Sequence, residues 1–148
     1  MTKAVNTALA GAGGVLQVVT TSSTTSFSTS STTYIDTISL SITPSSTSSR
    51  ILIIPSLCLA NAGASGPDGS MFVRLFRGST ALFESTQRTY WYSGAGVYLI
   101  TPGSMVYADS PAASSSTTYK VQIRAGATTA YLNADGGASS LTLLEIAG

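Results

Sequence analysis

The feature that most constrains this chain is a strict two-residue alternation. From Thr117 to Ala125, "TTYKVQIRA" sets Tyr119, Val121, Ile123 and Ala125 on one side and Lys120, Gln122 and Arg124 on the other. Successive side chains of a β-strand point to opposite faces, so this pattern predicts a strand with one buried face. The same period recurs in "TYIDTISLSIT", with Tyr34, Ile38, Leu40 and Ile42 opposed to Ser39, Ser41 and Thr43. "SMFVRLFRGSTALFES" reads as a hairpin turning around Gly78. "RILIIPSLCLA" differs: its continuous apolar run predicts a strand buried on both faces, with Pro55 marking an edge, a bulge or a bend.

Further strands are expected at "VLQVVT", "QRTYWYS", "GVYLIT", "SMVYAD", "TAYLNA" and "SSLTLLEIA", separated by turn-forming stretches such as "TPSSTSS", "NAGASGPDGS" and "NADGGASS". Helical periodicity is confined to "TKAVNTALA", shorter than the roughly 12 residues an isolated helix needs. Many short strands at this spacing predict an all-β fold, an antiparallel β-sandwich or barrel. The expected organisation is an N-terminal arm, residues 1–14, that docks or lies between subunits, and a single β domain, residues 15–148.

Composition narrows the chemistry. The chain has 148 residues, of which 25 are Ser and 21 are Thr, and only 9% are charged. Hydroxyl groups and backbone, not ions, must therefore meet the water. A hydrophobic share of 43% with a net charge of +1 predicts a folded chain, not a disordered one. The basic residues are scattered along the sequence, so no phosphate-neutralising cluster is expected and nucleic acid is not a predicted partner. So few charges protect poorly against association, which points towards assembly. No apolar run approaches the roughly 18 residues of a membrane span, and the N-terminal stretch makes a poor secretory signal.

The serine- and threonine-rich stretches read as surface. "SPAASSSTT" is expected to be a long hairpin loop, and "TTSSTTSFSTSSTTY" an exposed pair of strands in preference to a glycosylated stalk. The chain has no histidine, which excludes Ser-His-Asp and Cys-His catalysis and histidine-based zinc sites. Cys58 is read as a small buried hydrophobe. The carboxylates Asp36, Asp68, Glu84, Asp109, Asp135 and Glu145 show no spacing that selects a catalytic pair. Asp68 and Asp135 stand in Asp-Gly turns, a stronger reading than calcium ligation. No catalytic residue, cofactor or metal is therefore expected. The densest aromatic cluster, Tyr90, Trp91, Tyr92 and Tyr98, is the candidate contact site, with core, subunit interface and ligand contact all open to it.

Several stretches in order, "GGVLQVV", "ITPSSTSSRILI", "RLFRGSTAL", "ADSPAASSSTTYKVQI" and "LTLLEI", resemble the β domains of tailed-bacteriophage virion proteins of the tail-fibre, receptor-binding and capsid-decoration type. The resemblance covers Gly13 to Ile146 and rests on hairpin and strand patterns, not on catalytic residues. It implies a jelly-roll-like sandwich, a homotrimer without enzymatic activity, partners among phage capsid or tail proteins, and a place in the virion after release by lysis. Tail fibres carry such a domain at the end of a long shaft, whereas here only a few residues precede it. That difference favours a capsid-exterior decoration (cement) or head-fibre protein. The alternative is a receptor-binding tail-fibre or tail-tip domain that contacts host-surface glycan.

Overall fold

The computed structural model describes residues 13–62, 70–84, 98–126 and 128–148. They form eleven strands: β1 (Val15–Ser23), β2 (Phe27–Thr29), β3 (Ile35–Ile42), β4 (Arg50–Ala62), β5 (Met71–Arg77), β6 (Thr80–Glu84), β7 (Tyr98–Ser104), β8 (Tyr107–Asp109), β9 (Thr117–Ala125), β10 (Ala130–Leu132) and β11 (Ser139–Ile146). All pairings are antiparallel. One sheet has the order β3-β9-β5-β6; the other is built around β4.

The seven strands of the β4 sheet lie on four lines. Along one edge of β4, β11 pairs with Arg50–Ser56 and β10 continues against Leu59–Asn61. Along the opposite edge, β8 pairs with Ile51–Ile53 and β7 with Ser56–Ala62. β1 and β2 follow one another in the same way beside β11 and β10. The sandwich is thus four strand lines on four, in the orders β1/β2-β11/β10-β4-β7/β8 and β3-β9-β5-β6. This is the strand order of a jelly roll, so the all-β sandwich expected from the alternation is what the chain forms.

The alternation fixes the core. Tyr119, Val121, Ile123 and Ala125 of β9 are all buried, facing Ile51, Ile53, Leu57 and Leu59 of β4 and Leu141 and Leu143 of β11. Full burial of each such aliphatic side chain stabilises the fold by about 1.5–3 kcal/mol. The hairpin expected around Gly78 joins β5 to β6, and Gly78 adopts φ 54, a backbone region open to glycine at little cost.

Several local expectations need correcting. "SPAASSSTT" is not a hairpin loop, because β8 and β9 belong to different sheets and the segment crosses between them. The two strands of "TTSSTTSFSTSSTTY" do not pair with each other; β1 and β2 are successive parts of one line, and Phe27 packs against the core. Tyr34, which the alternation sets with Ile38, Leu40 and Ile42, lies instead on the outer face, because the register of β3 shifts between Asp36 and Ser39. Pro55, expected at an edge, a bulge or a bend, lies on the central strand. It stands opposite the gap between β7 and β8, where the ladder is interrupted and no N–H is required of it.

One hydrogen-bond chain holds those interruptions in step. The backbone N–H of Cys58 donates to Ser139 Oγ (2.9 Å), and the Ser139 hydroxyl donates to Asn133 Oδ1 (2.6 Å). Asn133 Nδ2 in turn donates to the carbonyls of Ser23 (2.9 Å) and Thr25 (3.0 Å). Asn133 is buried and left-handed, with φ 58, a conformation asparagine tolerates better than most residues. Cys58 is half-buried, not fully buried as expected. Its sulfur lies beneath Gly137, where an added Cβ would come within 2.3 Å of it.

Gly13 donates to the Ala147 carbonyl (2.9 Å) and Ala147 donates to that of Gly14 (2.8 Å), so the β1–β11 ladder reaches two residues into the expected arm. Residues 1–12, which contain the expected helix, lie outside the described residues.

Candidate functional site

Of the expected contact residues, Tyr90, Trp91 and Tyr92 lie outside the described residues. Tyr98 opens β7 opposite Ala62, and its side chain is outside them too. The described residues offer two other surfaces, the outer faces of the two sheets, and these differ sharply.

The outer face of the β3-β9-β5-β6 sheet carries a ladder of alternating rings and guanidinium groups. On β5, Val73 and Leu75 point inward, leaving Phe72, Arg74 and Phe76 on the outside. The register sets Arg74 beside Gln122 and Phe72 beside Arg124 of β9. Tyr34, just ahead of β3, reaches across the face, and its hydroxyl donates to Glu84 Oε1 on the far strand (2.7 Å). The Arg74 guanidinium carbon lies 3.8 Å from the Tyr34 ring centre and 4.2 Å from that of Phe76. Arg124 lies 3.6 Å from the Phe72 ring centre and 5.1 Å from that of Tyr34. The spatial order is Phe72, Arg124, Tyr34, Arg74, Phe76, each cation attracted by the negative faces of its neighbouring rings.

Polar contacts fix this ladder from below. Arg74 Nε donates to Gln122 Oε1 (2.6 Å), and Gln122 Nε2 donates to Asp36. Asp36 also pairs with Lys120 at 2.8 Å. The Lys120 hydrogen bond, partly opposed by burial and aided by Gln122, holds the Asp36 carboxyl below its ordinary range. Burial, with the Glu84 hydrogen bond adding to it, raises the Tyr34 phenol and keeps it a neutral donor. Among the described residues neither Arg74 nor Arg124 has a carboxylate partner within ion-pair distance, while Arg77 and Lys120 each have one.

The outer face of the β4 sheet is the opposite in kind. Pairing aligns Val18, Leu144, Leu52 and Ala108 in one row across four strands. Thr20, Thr142 and Ile54 form the next row, with the two threonine hydroxyls 3.0 Å apart. Ser22, Ser140, Ser56 and Ser104 form a third. Val18 is 55% exposed and Val106 67%. Among the described residues only Arg50, at the rim, brings a charge to this face. Leu52 and Ile54 are half-buried while Ile51 and Ile53 are fully buried, so the apolar run of β4 is covered on one face only, not on both as expected.

Among the described residues, the remaining carboxylates are engaged in structural contacts or lie in a turn. Asp109 accepts from Arg77 (2.9 and 2.8 Å) and from the Tyr119 hydroxyl (2.7 Å), joining β8 of one sheet to β5 and β9 of the other. Burial, reinforced by that hydrogen bond, strongly raises the Tyr119 phenol. Glu145 is fully buried and accepts from the Ser45 N–H (2.7 Å), the Ser45 hydroxyl (2.6 Å), the Ser49 hydroxyl (2.6 Å) and Gln17 Nε2 (2.6 Å). Burial alone raises this carboxyl, but those four donors outweigh it and hold Glu145 below the usual range. Asp135 is exposed in a single 3-10 turn, as its Asp-Gly setting predicts, and Asp68 lies outside the described residues.

The ladder escaped sequence reasoning because Tyr34, Arg74 and Arg124 are far apart in the chain. A signal was present in "MFVRLFR", where phenylalanines occupy the positions either side of arginine that alternation assigns to solvent. No protein-family model matches the chain, and no curated protein matches it either.

Proposed function

We propose that this chain is a non-enzymatic structural protein of a bacteriophage particle, a trimer mounted on the capsid exterior as a decoration or head-fibre protein. The observation that carries the reading is the uncharged outer face of the β4 sheet. Leu52, Ile54, Leu144 and Val18 form an apolar patch there that the described residues leave uncovered. Four strands about 4.8 Å apart and about 30 Å long give a plane of roughly 570 Å², to which side-chain relief adds. A standard interface takes about 800 Å² from each partner, so this face with its side-chain relief approaches the size needed for a neighbouring subunit. A uniform row of hydroxyls beside the apolar patch leaves no buried charge to be compensated across such a contact. The resemblance to virion β domains supplies the setting, and the jelly-roll strand order is compatible with it.

The test is the amount of this chain in purified particles of the phage that encodes it, measured by quantitative mass spectrometry against the major shell protein. A ratio comparable to the shell protein supports decoration, and a handful of copies per particle moves the reading to a tail or head fibre. Absence from the particle overturns it. Native mass spectrometry of the isolated protein should give three copies.

A further inference from the structure

From the outer face of the β3-β9-β5-β6 sheet we infer a second, separate activity: the ladder built on Arg74, Arg124 and Tyr34 is a binding site for acidic saccharides, sugars that carry carboxylate groups. Two observations carry it. Arg74 and Arg124 flank one tyrosine ring on a single face, and neither has a carboxylate within ion-pair distance among the described residues. Each guanidinium carbon also lies over a ring, 3.6–3.8 Å from its centre. Arg74 Nε is taken by Gln122, and Arg124 Nη1 donates to the Ala125 carbonyl (3.3 Å), so the other guanidinium N–H groups are those offered to a planar, two-oxygen acceptor. The side chains have already lost their rotamer freedom in the free protein, which lowers the cost of binding such an acceptor.

The surroundings choose among anions. A nucleic-acid backbone needs a run of cations to neutralise successive phosphates. Here Asp36 and Glu84 lie on the same face and would repel such a chain. An acidic peptide would present its carboxylate on a flexible stem and leave Phe72 and Phe76 unused. A pyranose ring offers both halves of the match at fixed spacing, with C–H faces for the half-buried rings and a carboxylate for the guanidinium edge. The inference does not depend on where the chain is mounted. It uses the face opposite to the one assigned to subunit contact.

Isotope-labelled protein titrated by NMR with a neutral oligosaccharide carrying a single galacturonate, and with the methyl ester of the same oligosaccharide, tests it. The expected result is saturable binding of the free acid, with shifts centred on β5 and β9, and at least about tenfold weaker binding of the ester. Arg74→Gln and Arg124→Gln should each weaken binding about tenfold or more, and Arg50→Gln, a charge lost elsewhere, should not change it. Arg124→Lys keeps the charge but not the fork, so it should also lose affinity even if a glutamine variant proves unstable. Equal binding of acid and ester, binding indifferent to Arg74 and Arg124, or no binding at about 5 mM overturns the inference. So does competition of equal strength by polyglutamate or oligothymidylate, which would mean that the face reads charge alone.

Discussion

The two outer faces of this sandwich are built from the same residue alphabet and end up with opposite characters. The β4 sheet turns out rows of Val, Leu, Ile, Thr and Ser with one arginine at the rim, whereas the β3-β9-β5-β6 sheet gathers Asp36, Arg74, Glu84, Lys120 and Arg124 around three aromatic rings. Charges scattered along a sequence become clustered in space once strand register places β3, β5, β6 and β9 side by side. A low charge content is therefore no guide to how uneven the surface is. One face is suited to exclude water against a neighbour, and the other to hold a polar partner.

The most direct way to break this comparison is to charge the uncharged face. Ile54→Asp places a carboxylate at the centre of the β4 sheet's outer surface and should weaken self-association more than about 100-fold, because an unpaired charge would have to be buried. Sedimentation should then show a monomer whose melting temperature, measured under conditions where the parent is also monomeric, is little changed. Phe76→Asp, on the other sheet, should leave the oligomer's mass intact. If both variants associate like the parent protein, the two faces do not differ in the way claimed.

Alternation made the inner faces legible from the sequence. Period-two patterns name the buried set of β9 correctly, and Ile38 and Ile42 of β3, but they put Tyr34 on that same side, because the register shift between Asp36 and Ser39 leaves no local trace; the Gly78 hairpin follows from its turn residues. The apolar run of β4 was legible as a central strand, but not the fact that half of its side chains lie uncovered; that depends on what stands opposite, which no local pattern contains. Connections were misread for the same reason. A serine-rich segment looks alike whether it closes a hairpin or crosses between sheets, and only the long-range pairing of β8 with β4 and of β9 with β3 and β5 decides. The cation–ring ladder was hidden more deeply, since it joins residue 34 to residues 72–76 and 124 through register alone. The expected aromatic cluster at Tyr90, Trp91, Tyr92 and Tyr98 remains a separate candidate.

The two faces keep their relation because the sheets are tied together at Asp109. Arg77→Ala removes one partner of a mostly buried carboxylate that bridges β8, β5 and β9. Breaking a fully buried pair costs about 3–5 kcal/mol; Arg77 is 27% exposed, so about 2–3 kcal/mol is expected, measured by urea unfolding. Tyr119→Phe, which removes only the hydroxyl of the same clamp, should cost about 1–2 kcal/mol. A loss below about 0.5 kcal/mol in both would mean that the hydrophobic core alone fixes the sheets.

A smaller effect separates the buried carboxylate from the surface ones by pH. Glu145 has a lowered folded-state pKa, so the folded protein binds its proton less readily than the unfolded chain. Its contribution is complete above the ordinary carboxyl value of 4.5 and disappears as pH falls from there through the folded value. Glu145→Gln should flatten that acid limb of the stability curve and leave Ser45, Ser49 and Gln17 with weaker partners, costing about 1–3 kcal/mol at neutral pH. An unchanged acid limb would place the sensitivity on Asp36, whose pKa is also lowered but whose side chain is exposed.

The smallest expected change is the most discriminating, because it should be near zero on one face and measurable on the other. Salt screens exposed charges over a Debye length that shrinks from about 10 Å at 0.1 M to about 3 Å at 1 M. If subunits meet through Val18, Leu52, Ile54 and Leu144, as proposed, the contact involves no such charges, so its dissociation constant should move less than about twofold across that range, or tighten slightly as apolar burial is favoured. Binding of a carboxylated saccharide at Arg74 and Arg124 uses two cations and should weaken several-fold over the same range, read in the same NMR titration. If subunit association proves the salt-sensitive process, the interface lies on the charged sheet, and the two faces have been assigned the wrong way round.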